Sequence, residues 1–300
     1  MRKRVAVKEK EIKEKLIKTV LSLFAASSIG ILALIVIFLF TEGLPIVWEV
    51  NPAEFLFGMH WRPTRGVYGI FPMITGSLLV TLGALLICVP LGIGCAIFIA
   101  EIAPPKLKGI VKPGIELLAG VPSVVYGFFG LIVLCSYLQR AFDKPMGTCW
   151  LAGSILLGIM ALPTVASISE DAISSVPRSY KEGSLAVGAT HWQTIWRVVL
   201  PSSLSGITAA VILGMCRAIG ETMAVMMVTG NTPIIPEPLF DVFEPIRTLT
   251  ATIALETGEV AFGGPHYHAL FGIGIVLFCI TFGLNLIAGW VMGRFRAKGE

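Results

Sequence analysis

Residues Ile70–Ala100 read IFPMITGSLLVTLGALLICVPLGIGCAIFIA, 31 positions without a single Asp, Glu, Lys or Arg. A bilayer core about 30 Å thick is crossed by roughly 20 apolar residues in helical form, so this run exceeds one crossing. Pro72 and Pro90 lie inside it, which predicts a membrane portion that is shorter or bent. Five further stretches pass the same length test: Val20–Phe40, Leu117–Leu138, Met146–Ser169, Leu204–Val228 and Ala269–Met292. The fifth in chain order, Leu204–Val228, is interrupted by Arg217 and Glu221. Helices satisfy their own backbone hydrogen bonds without water. The expected fold class is therefore an all-α membrane protein with six transmembrane helices.

Composition supports that expectation. Hydrophobic residues make up 55% of the 300 positions and charged residues 14%, against about 25% charged in soluble domains. Mean hydropathy is +0.83. Orientation is read from Lys and Arg, which favour cytoplasmic loops. Eight precede the first span: Arg2, Lys3, Arg4, Lys8, Lys10, Lys13, Lys15 and Lys18. With that end inside, 17 basic residues fall inside and five outside, with Arg217 left within a span. Both termini are expected in the cytoplasm. So long a charged prefix, before an apolar run with no A-x-A-like end, does not read as a cleaved signal peptide.

The same charge pattern accounts for the net charge of +4 without a nucleic-acid partner. The six cysteines form no CxxC pair, which argues against zinc or a redox dithiol. His266 and His268 lack a third ligand nearby, so no metal is expected. A P-loop needs Gly-x-x-x-x-Gly-Lys followed by Ser or Thr, and no Gly-Lys dipeptide occurs. No HExxH or Gly-x-Ser-x-Gly is present either. The chain is not expected to be an enzyme or to hold a cofactor. If ATP drives it, another chain binds the ATP and magnesium.

The inside loop 170–203 carries the clearest local signals. Pro177 precedes a short helix predicted over Arg178–Val187, Pro being suited to a first turn. Gly188 ends it, as a residue free to take positive φ, and Thr190 is a suitable N-cap for a second helix through Arg197. The pattern is Glu182-Gly183-Ser184, three residues, Gly188, nine residues, then Val198-Val199-Leu200-Pro201. It resembles the cytoplasmic loop of ATP-binding-cassette importer permeases, Glu-Ala-Ala, three residues, Gly, nine residues, Ile-x-Leu-Pro. The spacing is complete, and Gly, Ser and Val replace two alanines and an isoleucine. The resemblance implies that Glu182, Gly183, Ser184, Gly188, Leu200 and Pro201 couple this chain to an ATPase subunit.

Two further segments narrow the resemblance. Leu117-Leu118-Ala-Gly120-Val-Pro122-Ser123-Val-Val-Tyr126-Gly127-Phe-Phe-Gly130-Leu131 is similar to the third span of phosphate-uptake permeases. Arg217-Ala-Ile-Gly220-Glu221-Thr222-Met223-Ala224-Val225, with Gly230-Asn231 after it, is similar to their fifth, in the PstC-type form. An Arg at mid-membrane costs about 2.5–3.5 kcal/mol on insertion scales, so Arg217 should face a cavity, a partner or a substrate. A planar guanidinium matches phosphate oxygens. Glu221, one turn further on the same helix face, is expected to pair with Arg217 when no anion is present. A carboxylate there would accept a hydrogen bond from monohydrogen phosphate and disfavour sulfate. Thr222, Ser123 and Tyr126 offer hydroxyls to the same pathway, although small-residue helix packing explains the third span equally well.

The resemblance implies a type I importer permease. It assigns 1–19 to a basic cytoplasmic segment, 20–40 to a peripheral first span, and 70–293 to a five-span core carrying the coupling loop 170–203. It implies a homologous PstA-type permease, two PstB-type ATPase subunits and an external PstS-type phosphate-binding protein as partners, with membrane lipid around them. The outside loops Thr41–Gly69 and Gly230–His268 would receive that binding protein. The second is acidic, with Glu237, Asp241, Glu244, Glu256 and Glu259 against Arg247, and would repel free phosphate. Two alternatives stay open: a permease for sulfate, molybdate or phosphonate, and a gradient-driven anion transporter.

Overall fold

The computed structural model describes residues 2–239 and 241–296, with backbone only at 2–13, 291–292 and 294–296. The basic side chains before Glu14, and those of Arg294, Arg296 and Lys298, lie outside the described residues. Among the described residues six helices are long and apolar enough to cross a membrane: Glu14–Glu49, Phe71–Ile102, Ser123–Ala141, Trp150–Ser174, His191–Ile219 and Pro265–Trp290. They are called the first to sixth spans below. Among the described residues the only strands are Trp61–Arg62 and Val67–Tyr68, a two-residue antiparallel ribbon.

The second and fourth spans pack along each other and form the centre. Small residues let their backbones approach: a Cβ on Gly83 would stand 2.3 Å from Ser154 Oγ, and one on Gly92 would stand 2.8 Å from a Val165 methyl. Val80, Ala84, Cys88, Leu157, Ala161 and Val165 fill the seam. A Gly83→Leu substitution forces this seam open, and overpacking costs about 1–3 kcal/mol. The expected result is a lower unfolding temperature of the purified chain in detergent, with Gly94→Leu as the control, because a Cβ on Gly94 meets nothing within 4 Å.

The second span is helical over almost all of its apolar run. It stays helical through Pro90 and ends in a π-helical turn, Phe98–Ile102. The fourth span begins at Trp150, whose indole donates to Asp241 O at 2.7 Å, and runs to Ser174. Hydropathy ended it at Ser169 because Glu170 and Asp171 follow, yet their charge is met by lysines from another helix, described below. The third span starts at Ser123, six residues later than hydropathy placed it. Pro122 disfavours helical geometry in the residue before it, and Leu117–Ala119 finish a separate helix, Pro105–Ala119.

The first span runs alongside the sixth, with Phe38 edge-on to Phe271 and Phe40 edge-on to Phe278. The expected outer loop Thr41–Gly69 overlaps the end of this span, and the segment packs against the sixth span through Ile46, Phe55, Trp61 and Tyr68.

Candidate functional site

The loop between the fourth and fifth spans is built much as its sequence dictates. Pro177, with extended ψ, precedes the helix Arg178–Ala186. Gly188 sits at φ +87°, the left-handed region, and no atom lies within 4 Å of its would-be Cβ. Thr190 then makes a full capping box with Gln193. The second helix of the loop is not a separate surface element, however. It runs from His191 through a π-helical turn, Ile195–Val199, directly into the fifth-span helix Leu200–Ile219. Pro201 supplies no N–H and its ring crowds the carbonyl four residues back, which suits a widened turn just ahead of it.

Glu182 is exposed, and a Cβ on Gly183 would meet nothing within 4 Å. Tyr180, Val187, Trp192 and Trp196, large apolar side chains of the same loop, are also exposed. The inner side of the loop is tied down instead. Ser184 Oγ lies 3.0 Å from Thr194 Oγ1, linking the two helices. Lys181 Nζ donates to Glu101 Oε1 at 2.5 Å, and His191 Nε2 lies 3.3 Å from Glu101 O. Leu200 is half-buried beside Ile195 and Val199. The loop is thereby fastened to the end of the second span through Glu101 and Lys181. Neither residue was singled out from the sequence, although Glu101 is the charge that closes the long apolar run.

The fifth span is broken. Its helix ends at Ile219, residues Gly220–Thr222 are non-helical, and a six-residue helix, Met223–Val228, follows. The expected helical face shared by Arg217 and Glu221 therefore does not exist, and no ion pair joins them among the described residues. Glu221 Oε1 instead accepts from the backbone N–H of Thr222 at 3.2 Å and of Ala224 at 3.3 Å. It closes the start of the short helix, a role suited to a carboxylate. Both side chains still border one narrow crevice with Leu157, Met160 and Ala161.

Arg217 is exposed in the last turn of its helix. Its guanidinium donates to Thr164 Oγ1 at 3.4 Å and to Ala119 O at 3.5 Å. Both are long against the 2.7–2.9 Å, approximately, of a strong charge-assisted bond, so the fork is loosely held. Two helix breaks meet here, since Ala119 ends its helix just before Gly120–Pro122. Tyr126 does not present its hydroxyl freely but donates to Leu118 O at 2.9 Å. Ser123 is half-exposed, and Thr222 Oγ1 turns back to Gly220 O at 3.4 Å. Gly127 packs against Met227 and Ala224, so the third span's small residues do serve packing. Thr164 and the Ala119 carbonyl were not legible from sequence spacing.

The segment Gly230–His268 is less of an outer loop than its charges suggest. Its helix Leu249–Glu256 is inserted beside the second span, with Leu249 N donating to Ser77 Oγ at 2.9 Å. Thr250 Oγ1 reaches Glu221 O at 2.9 Å. Glu256 is not a free acid: it accepts from Arg247 Nη1 at 2.6 Å and Trp61 Nε1 at 3.0 Å, and lies 2.8 Å from His266 Nε2. His268 Nδ1 is 2.8 Å from Glu42 O.

Comparison with known proteins places this geometry. Residues 88–298 match the family model described as binding-protein-dependent transport system inner membrane component. A Bacillus subtilis protein named probable ABC transporter permease protein YqgH is 43% identical over 289 residues, covering 95% of this chain and 91% of that one. The phosphate transport system permease protein PstC of Mesorhizobium japonicum is 37% identical over 264 residues, covering 82% and 80%. In fold, the chain superposes with TM-score 0.56 on a bacterial ABC transporter involved in import of the acidic polysaccharide alginate, at 16% identity and 88% and 93% coverage.

Proposed function

This chain belongs to the family of binding-protein-dependent transport-system inner-membrane components, the permease subunits of ATP-binding-cassette importers, and on that premise we propose that it carries inorganic phosphate into the cell. It is a multi-pass inner-membrane protein, is not itself catalytic, and works with ATPase and binding-protein partners. The finer assignments rest on its own residues. Arg217 carries the anion reading, being an exposed and loosely held fork where two helix breaks meet. Relatives named phosphate transport system permease protein PstC support phosphate as that anion.

In this reading the Arg178–Thr190 loop and both termini face the cytoplasm. Glu182, Gly183, Ser184 and Gly188 present the coupling helix to a PstB-type ATPase, with ATP and magnesium held there, and Leu200 and Pro201 begin the span that receives the push. A PstA-type permease completes the path, and a PstS-type protein delivers phosphate at the opposite face. Closure of the ATPase pair moves the loop, and the contacts of Lys181 and His191 with Glu101 carry that motion to the second span. Such a shift requires that the loop make different contacts in the two states. Arg217 meets the phosphate, with Ser123, Tyr126, Thr222 and Glu221 bordering its route. Because Glu221 is occupied as a helix cap, its effect on sulfate comes through the charge it places beside the path, not through pairing with Arg217.

The test is uptake into vesicles by the assembled complex. ATP-dependent phosphate uptake is expected, with sulfate accumulating at least about tenfold more slowly, a difference of roughly 1.4 kcal/mol. Sulfate, molybdate or phosphonate entering as fast as phosphate would replace the substrate assignment. Phosphate uptake by this chain alone under a proton gradient would overturn the ATP-driven reading.

A further inference from the structure

The helix Pro105–Ala119 has no buried residue along its 15 positions, and Leu107, Ile110, Leu117 and Leu118 are all exposed. Most helices in proteins are held by an apolar face; here Val111 and Ile115 are only half-buried, and charged side chains make the ties to the fourth span. Glu170, one turn from the end of the fourth span, is 1% exposed. Its carboxylate accepts from Lys108 Nζ at 2.6 Å, Lys112 Nζ at 2.5 Å and Ser174 Oγ at 2.6 Å. Lys112 also reaches Asp171 Oδ1 at 2.7 Å. Hydrogen bonds to Asp171 and Glu170 hold the Lys112 ammonium well above its usual range.

Position gives this cluster a use. Glu170 lies eight residues before Arg178, where the coupling helix begins. The far end of the clamped helix is Ala119, whose carbonyl takes the Arg217 guanidinium. A buried ion pair is weak evidence for stability and stronger evidence for fixing one arrangement among several. A salt link also holds two helices in register without the apolar burial that this helix lacks.

We propose that Glu170 is a positioning residue: it makes helix Pro105–Ala119 travel with the fourth span, so that movement of the coupling loop reaches the carbonyl that holds Arg217. This rests on the reading of Arg217 as the anion contact, and the experiment separates the two. Spin labels at Ile110 and Ile159, both exposed, are placed in the complex assembled with its ATPase. In the parent protein the label distance stays the same with and without bound ATP. In Glu170→Gln it shifts or broadens between the two states, and in Lys112→Met it does so less. In Glu170→Gln, phosphate moved per ATP hydrolysed falls by about tenfold, within the range of inter-site coupling energies. A merely structural role lowers the yield of complex and leaves that ratio unchanged.

A parent distance that already changes with ATP overturns the proposal. So does a substituted protein that keeps the parent distances and ratio. If Glu170→Gln fails to assemble, Lys112→Met decides, since its side chain is 29% exposed. If the parent complex moves no phosphate, the substrate reading has failed, and the label distances still decide the clamp.

Discussion

Glu182→Lys is expected to silence ATP-driven uptake while leaving the permease folded. The carboxylate stands exposed on the helix Arg178–Ala186 and has no hydrogen bond or ion pair among the described residues. Exposed substitutions away from structural features usually change stability by less than about 0.5 kcal/mol. The unfolding temperature of the purified chain should therefore barely move. Its surroundings say where the charge is used. Tyr180, Leu185 and Val187 lie exposed on the same short helix and its end, and apolar residues around one charge fit a partner's groove better than water. Reversing a charge at the heart of an interface costs several kcal/mol, and each ~1.4 kcal/mol is a factor of ten. Uptake should fall by about a hundredfold or more, together with co-purification of the ATPase. Normal uptake by the Glu182→Lys complex would remove Glu182 from the coupling role.

This contrast between the two faces of one loop was half legible in the sequence. Gly188 and Thr190 announce themselves because positive φ and N-capping are local demands met by few residue types. The Lys181–Glu101 tie does not, since its partners are 80 positions apart and nothing local links them. Hydropathy found all six spans for the same kind of reason: about 20 apolar residues are hard to place elsewhere. It misplaced ends where charge was compensated from a distance, as at Glu170 with Lys108 and Lys112.

The break at Gly220–Thr222 was hidden for a different reason. Apolar residues flank it on both sides, so the apolar run resumes after Glu221 and the segment still reads as one span. The expected Arg217–Glu221 pairing assumed a continuous helix, and four-residue spacing has meaning only there. Once the helix ends at Ile219, the backbone N–H groups of Thr222 and Ala224 need acceptors, and Glu221 is the nearest one. A local obligation displaced a longer-range attraction.

That displacement sharpens what Arg217 should do. With Glu221 occupied, the guanidinium keeps only the long contacts to Thr164 and Ala119, so its positive charge is uncompensated by any carboxylate within ion-pair range among the described residues. Arg217→Ala should cost the fold little, since those two contacts are poor. It should cost transport much more, because each hydrogen bond to a charged group is worth about 1.5–3 kcal/mol, and losing one or two lowers uptake roughly ten- to ten-thousandfold. Arg217→Lys should recover part of the rate, because an ammonium supplies the charge without the planar fork. Glu221→Gln should behave differently: the amide oxygen still caps the helix, phosphate uptake falls only a few-fold, and sulfate entry rises relative to phosphate. The measurement is initial uptake rate against phosphate concentration, beside ATP hydrolysis by the same complexes. If Arg217→Ala lowers hydrolysis and assembly in step with uptake, the residue is a structural strut. If uptake persists, the anion passes elsewhere. Loss of uptake with hydrolysis and assembly preserved leaves Arg217 as the group that meets the anion between the two broken helices.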